Sequence, residues 1–130
     1  MQILQPAGWD RPRGYSNGIL AEGKVVYVAG QVGWKPNSEM AADDFAGQAR
    51  QALKNIVDIL AEAGAQPSHI TRMTWFVVGT DAYMAAGREV GQAYRELIGK
   101  HFPAMSVIGV AGLIEPGALL EIEATAVIPA

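Results

Sequence analysis

The chain has 130 residues, half of them hydrophobic, and a formal net charge of −3. That is the size of one domain with a full core, and the absence of cysteine excludes disulfides, thiolate nucleophiles and thiolate metal sites. Arg11 and Arg13 stand close together, but no basic stripe follows, so nucleic acid is not an expected partner.

The N-terminal Met1–Pro6 segment lacks a charged start and an apolar run, so no secretory signal is expected. No apolar stretch approaches the ~20 residues of a membrane span. The expectation is a cytoplasmic, single-domain protein with no membrane contact. Gly14–Ala21 and Lys24–Gly30 read as two short strands joined at Glu22-Gly23, a tight-turn candidate. The run Val25-Val26-Tyr27-Val28 suggests burial on both faces. A polar loop, Lys35–Ala42, follows.

Asp43 is a suitable N-cap for a helix running to about Ala63. Phe45, Ala49, Ala52, Ile56 and Ile59 recur at spacings of three and four, and Gly64 is the expected stop. Ile70–Val78 reads as a strand. Gly79-Thr80-Asp81 opens a second helix with Tyr83, Gly87, Val90, Tyr94 and Leu97 on one stripe, ending at Gly99. Pro103 blocks further helix, and Ala104–Leu113 reads as another strand. Glu115-Pro116-Gly117 turns into a last strand, Leu119–Ile128.

The order is ββαβαββ, an α+β pattern. Two helices cover one face of a sheet, yet Ala104–Leu113 is nearly apolar on both faces. Another copy of the chain is the economical cover for the second face, which points to a homo-oligomer.

In the last strand Leu120, Ile122, Ala124, Ala126 and Ile128 fall on one face, and Glu121, Glu123, Thr125 and Val127 on the other. The paired carboxylates are either a solvated sheet face or the acid/base end of a site. Two histidines far apart, His69 and His101, give no metal signature. His101 precedes Phe102-Pro103 and could shuttle protons near a cleft, although a lone loop histidine is more often unremarkable. No P-loop, nucleophile elbow or dinucleotide fingerprint is present; Gly109-Val110-Ala111-Gly112 reads as close strand packing.

Gly14-Tyr15-Ser16-Asn17, Ala29-Gly30-Gln31, the run Gln48–Ile56, Phe102-Pro103-Ala104-Met105-Ser106 and Glu121-Ile122-Glu123-Ala124 together resemble the RidA/YjgF/YER057c family, the reactive intermediate deaminases, over nearly the whole chain. The resemblance implies a chorismate-mutase-like α+β fold: a mixed β-sheet with two helices on one face, assembled as a homotrimer with a small-molecule cleft between subunits. It implies hydrolysis of reactive imines formed from enamines, with no cofactor and no metal.

It also implies site residues. Glu121 matches the glutamate proposed to orient or activate water, and Tyr15 matches a cleft-lining tyrosine. Asn17, Gly30 and Gln31 are neighbouring lining candidates, and Trp34 could wall the cleft. Bland readings stand beside these: a surface carboxylate, a half-buried strand tyrosine, an edge amide, a strand end. Met105 stands where deaminating members carry the arginine that clamps the substrate carboxylate, and a thioether cannot supply that charge. The chain therefore resembles Rid-like subgroups lacking that arginine. Arg13, Lys35, Arg72 and Arg88 are candidate replacement cations, with Arg13 favoured for its place before Gly14-Tyr15. Trp75 shares a strand face with Met73 and Val77, a packing position. The leading expectation is a deaminase of a reactive imine or enamine. Its rivals are a non-catalytic small-molecule-binding or regulatory trimer and, behind both, an endoribonuclease.

Overall fold

The computed structural model describes all residues, 1–130. In chain order the elements are β1 (Gln2–Leu4), β2 (Gly18–Leu20), β3 (Gly23–Gln31), α1 (Phe45–Glu62), a 3₁₀ turn at Pro67–His69, β4 (Ile70–Val78), α2 (Thr80–Ala85), α3 (Gly87–Leu97), β5 (Ala104–Val110) and β6 (Leu120–Pro129). The main sheet runs β3-β6-β4-β5. Its β4–β5 pair is parallel, and β6 is antiparallel to both neighbours. This is the expected mixed α+β architecture.

The period-2 alternation of β4 and β6 decides which face is covered. Met73, Trp75 and Val77 on β4, and Leu120, Ile122, Ala124 and Ala126 on β6, are all buried beneath the helices. α1 supplies the matching stripe, with Phe45, Ala49, Ala52, Leu53, Ile56 and Leu60 buried. It packs on β3 and β6, and α3 packs alongside it. Asp44 stands at the N-cap position, one residue after the expected Asp43, without a side-chain capping hydrogen bond, and Gly64 takes the left-handed conformation at φ 72° just past its end.

No helix packs on the other face. Here the continuous burial expected of Val25–Val28 fails: Val28 is 4% exposed, but Val25 is 48% and Tyr27 80% exposed. Val28 points to the helices, whereas Val25 and Tyr27, paired with Val127 and Thr125, point to the open face, for which one chain has no second layer.

Three further expectations differ. Gly14–Ala21 does not form a strand hairpinned to β3; only Gly18–Leu20 is extended, and it pairs with β1. At Gly23, φ is 148° and an added Cβ would lie 1.9 Å from the Ile128 carbonyl oxygen. The missing side chain lets β3 dock on β6 from its first residue, while β2 pairs with β1 in a separate two-stranded sheet. The expected two helices are three, because Ala86, at φ −90° and ψ 4°, breaks the second into α2 and α3. And β5 stops at Val110, not Leu113, because its partner β4 ends at the Val78–Val110 pair.

Candidate active site

Glu121 lies on the open face, opposite Phe76 of β4. Across from it, β3 carries a bulge: the register passes from Val28–Ala124 to Gln31–Ile122, so Ala29 and Gly30 together oppose Glu123. The bulge brings Gly30 onto the Glu121 side chain. A Cβ on Gly30 would lie 2.7 Å from Glu121 Cδ and 3.0 Å from Oε1. The half-buried carboxylate of Glu121 makes no hydrogen bond or ion pair within the chain, which leaves its oxygens available to a water or ligand. The Gln31 side chain donates to the Ala29 carbonyl at 3.1 Å and closes the bulge on itself. Glu123 is exposed and lines a different depression on the open face, with Tyr27, Arg72 and Thr74.

Polar residues of α1 hold this end in place. Gln48, 1% exposed, donates to the carbonyls of Ala42 at 3.1 Å and Gly117 at 3.0 Å, and accepts from Leu119 N–H at 2.8 Å. Both its donors and its carbonyl oxygen are engaged in joining α1 to the approach to β6. Asn55 donates to the carbonyls of Trp34 at 2.8 Å and Val32 at 3.3 Å, fixing the loop that leaves Gln31.

Met105 belongs to a different place. It pairs with Met73 on the helix side of the sheet and lines a cavity of about 370 Å³ between the edge strand β5 and the helices α2 and α3. Trp75 and Tyr83 meet edge to face on one side of it, centroids 6.1 Å apart. Tyr94 and Phe102 stack at 6.1 Å on the other. Burial raises the pKa of the Tyr94 and Tyr83 hydroxyls; the neutral Tyr94 donates to the His101 carbonyl at 2.6 Å.

The Gly14–Asn17 segment is tied to Phe102-Pro103 through Ser16. Its Oγ donates to the Phe102 carbonyl at 2.5 Å and its N–H to the Pro103 carbonyl at 3.0 Å. Gly14 thereby joins the Met105 cavity, while Tyr15 lines a separate recess of about 300 Å³ with Arg11 and Lys100. Phe102 is a wall of both. Asn17 is exposed and donates to Gln5 Oε1 at 3.0 Å. Trp34 is not a wall of the Met105 cavity.

The expected site residues thus fall into two groups within one chain: Glu121, Gly30 and Gln31 at the open face, and Gly14, Tyr15 and Met105 around Phe102. Among the candidate cations, Lys35 pairs with Glu39 at 3.5 Å, and Arg72 lines the open face, the side of the sheet opposite Met105. Arg13 and Arg88 are exposed neighbours of Gly14 and Gly87 without being walls of the cavity. The cation that lines it is Arg95, which the helical apolar stripe conceals because it lies one residue past Tyr94. Its signal was the spacing Gly87, Gly91, Arg95, three positions four apart on one helix face.

Both histidines have structural work. His101 Nε2 lies 2.6 Å from the Ile70 carbonyl, which can only accept, so that nitrogen carries the proton. His69 Nδ1 accepts from Gln66 N–H at 3.0 Å at the 3₁₀ turn. No three His, Asp or Glu side chains converge as metal ligands, and no helix is long and apolar enough to cross a membrane.

The family described as "Endoribonuclease L-PSP" matches residues 9–128. The chain is 31% identical over 114 residues to the human 2-iminobutanoate/2-iminopropanoate deaminase, covering 87% of this chain and 79% of that one. Its fold superposes with a TM-score of 0.85 on YyfB of Yersinia pestis, a Rid-family protein of unknown function, at 33% identity and 98% coverage of both chains. A YjgF/YER057c/UK114 family member from Mycobacterium tuberculosis gives a TM-score of 0.66 at 36% identity, covering 89% of this chain and 88% of that one.

Proposed function

This chain belongs to the RidA/YjgF family, and on that premise we propose that it is a hydrolytic deaminase of a reactive imine or enamine whose substrate is recognised without the usual arginine clamp. The observation that carries the reading is Glu121: a half-buried carboxylate, free of partners, in a niche that only a glycine at position 30 leaves open.

The reaction needs a water, a base and an electrophilic carbon. Glu121 holds the water and takes its proton as oxygen adds to the C=N carbon. Glu121 passes that proton to the nitrogen to give a carbinolamine; the hydroxyl proton then follows to the nitrogen, the C–N bond breaks as the C=O bond forms, and a ketone and ammonia leave. Water is the only co-reactant.

The working unit is a homotrimer with the cleft between subunits. Glu121 and Met105 lie on opposite sides of one sheet, so both can touch one ligand only when supplied by different copies. The exposed Val25, Tyr27 and Ile108 on the open face provide the apolar surface for such contacts.

Met105 favours a second reading, a small-molecule-binding or regulatory trimer without catalysis, because the family's charge clamp is missing. RNA cleavage ranks third: the net charge of −3 and the paired Glu121 and Glu123 repel a polyanion. Calorimetry alongside an ammonia assay separates the first two. Ammonia released from in situ imines supports the deaminase; heat of binding with no ammonia supports the binding protein.

A further inference from the structure

Side chains on a helix lean toward its N-terminus, so Arg95 reaches back along α3 over position 91. Gly91 and Gly87 leave that path bare. A Cβ on Gly91 would lie 3.5 Å from Arg95 Nη1, and one on Gly87 would meet nothing within 4 Å. The guanidinium is thus laid along the cavity that Met105 and Trp75 line from the sheet side. Its neighbour Glu96 is engaged by Arg50 at 2.7 Å, on the side of α3 toward α1. Arg95 itself makes no ion pair or side-chain hydrogen bond, and no carboxylate lines the cavity.

We infer that Arg95 is the specificity-determining residue of this cavity: it binds the carboxylate of a 2-imino or 2-oxo acid whose large apolar, preferably aromatic, side chain lies against Trp75 and Met105. The inference rests on the deaminase reading for the identity of the reacting group but is separable from it. A free guanidinium is the natural bidentate partner of a carboxylate. At about 370 Å³ the cavity is in the range that holds whole small-molecule ligands, more than a three-carbon acid fills. With Met105 in place of a charge on the sheet side, the apolar part of the ligand takes the sheet wall and its anion turns to the helix wall. The cation of this cavity stands on the helix wall, and Met105 leaves the strand wall apolar for a side chain.

The test is calorimetric and needs no turnover. Phenylpyruvate, pyruvate and the neutral ketone phenylacetone are titrated into the wild-type protein, Arg95→Gln, Arg95→Lys and Gly91→Leu. The expected result is that wild type binds phenylpyruvate tightest and that raising salt weakens this binding. Arg95→Gln loses about tenfold or more and no longer distinguishes phenylpyruvate from phenylacetone. Arg95→Lys recovers part of the loss, and Gly91→Leu, a good helix former that fills the path, weakens both aromatic ligands. Unchanged phenylpyruvate binding in Arg95→Gln overturns the assignment, as does equal affinity for pyruvate and phenylpyruvate, or no binding of either by wild type. Imine turnover with an unaltered KM in Arg95→Gln would leave the deaminase reading standing and this one refuted. Arg95-dependent binding without hydrolysis of any imine would do the reverse.

Discussion

Gly30 lies so close to Glu121 that a single methyl group cannot be placed between them: a Cβ at position 30 would sit 2.7 Å from the Glu121 Cδ. The bulge in β3 and the absent side chain together make the niche in which the carboxylate sits. Gly30→Ala should therefore push Glu121 aside at little cost to the fold, because the far end of a glutamate moves easily. The expected outcome is a fall in kcat on the order of 10–100-fold with a nearly unchanged melting temperature. A variant with full kcat would show that the position of Glu121 is unimportant.

Gln48 makes three hydrogen bonds from a buried site and stitches α1 to the start of β6. Gln48→Leu keeps the size but leaves Leu119 N–H and two carbonyls without partners. The three groups are only part-buried, so each costs toward the lower end of about 1–3 kcal/mol, and urea unfolding should show a loss of about 3–4 kcal/mol.

The open sheet face is the proposed contact between copies, and Tyr27 is its most exposed large side chain at 80%. Tyr27→Asp places a charge there without touching the core. Light scattering should report a trimer for wild type and smaller species for the variant. If the cleft is shared, imine turnover should fall with the trimer. A wild-type monomer at micromolar concentration would remove the shared cleft altogether.

Arg50 and Glu96 join α1 to α3 at 2.7 Å. The Arg50 hydrogen bond, helped by Gln92, holds the Glu96 carboxyl below its ordinary value of 4.5. A carboxyl lowered in the folded state stabilises at pH values above its unfolded pKa, and that contribution is lost as pH falls through the folded value. The wild type should be slightly more stable than Glu96→Gln at neutral pH and low salt, and the difference should shrink below pH 4.5 and at high salt. A difference that grows on acidification would contradict the pairing.

What the sequence disclosed follows from how strongly each segment is patterned. Ile70–Val78 was legible to the residue because its alternation is set by one buried face, and α1 to within a residue because its stripe is long. The strand β1 was not: three exposed residues, Gln2–Leu4, carry no alternation and pair only locally. Nor was the break at Ala86, since nothing about an alanine announces it. At the site, Glu121, Gly30 and Met105 could be singled out from resemblance, but their separation onto opposite faces depends on strand register and on the bulge. Arg95 is not legible in the sequence because a stripe through Val90 and Tyr94 leaves its neighbour reading as solvated surface. Only the cavity left by two glycines gives that arginine a place.

In the proposed reaction Glu121 activates water on an imine. The most direct measurement is the initial rate of imine decay, followed spectroscopically with small aliphatic and larger aromatic imines generated in situ, for wild type and Glu121→Gln side by side. Wild-type turnover should drop about 10²–10⁴-fold in Glu121→Gln while ligand binding persists. Equal rates in the two proteins on an accepted substrate would contradict it.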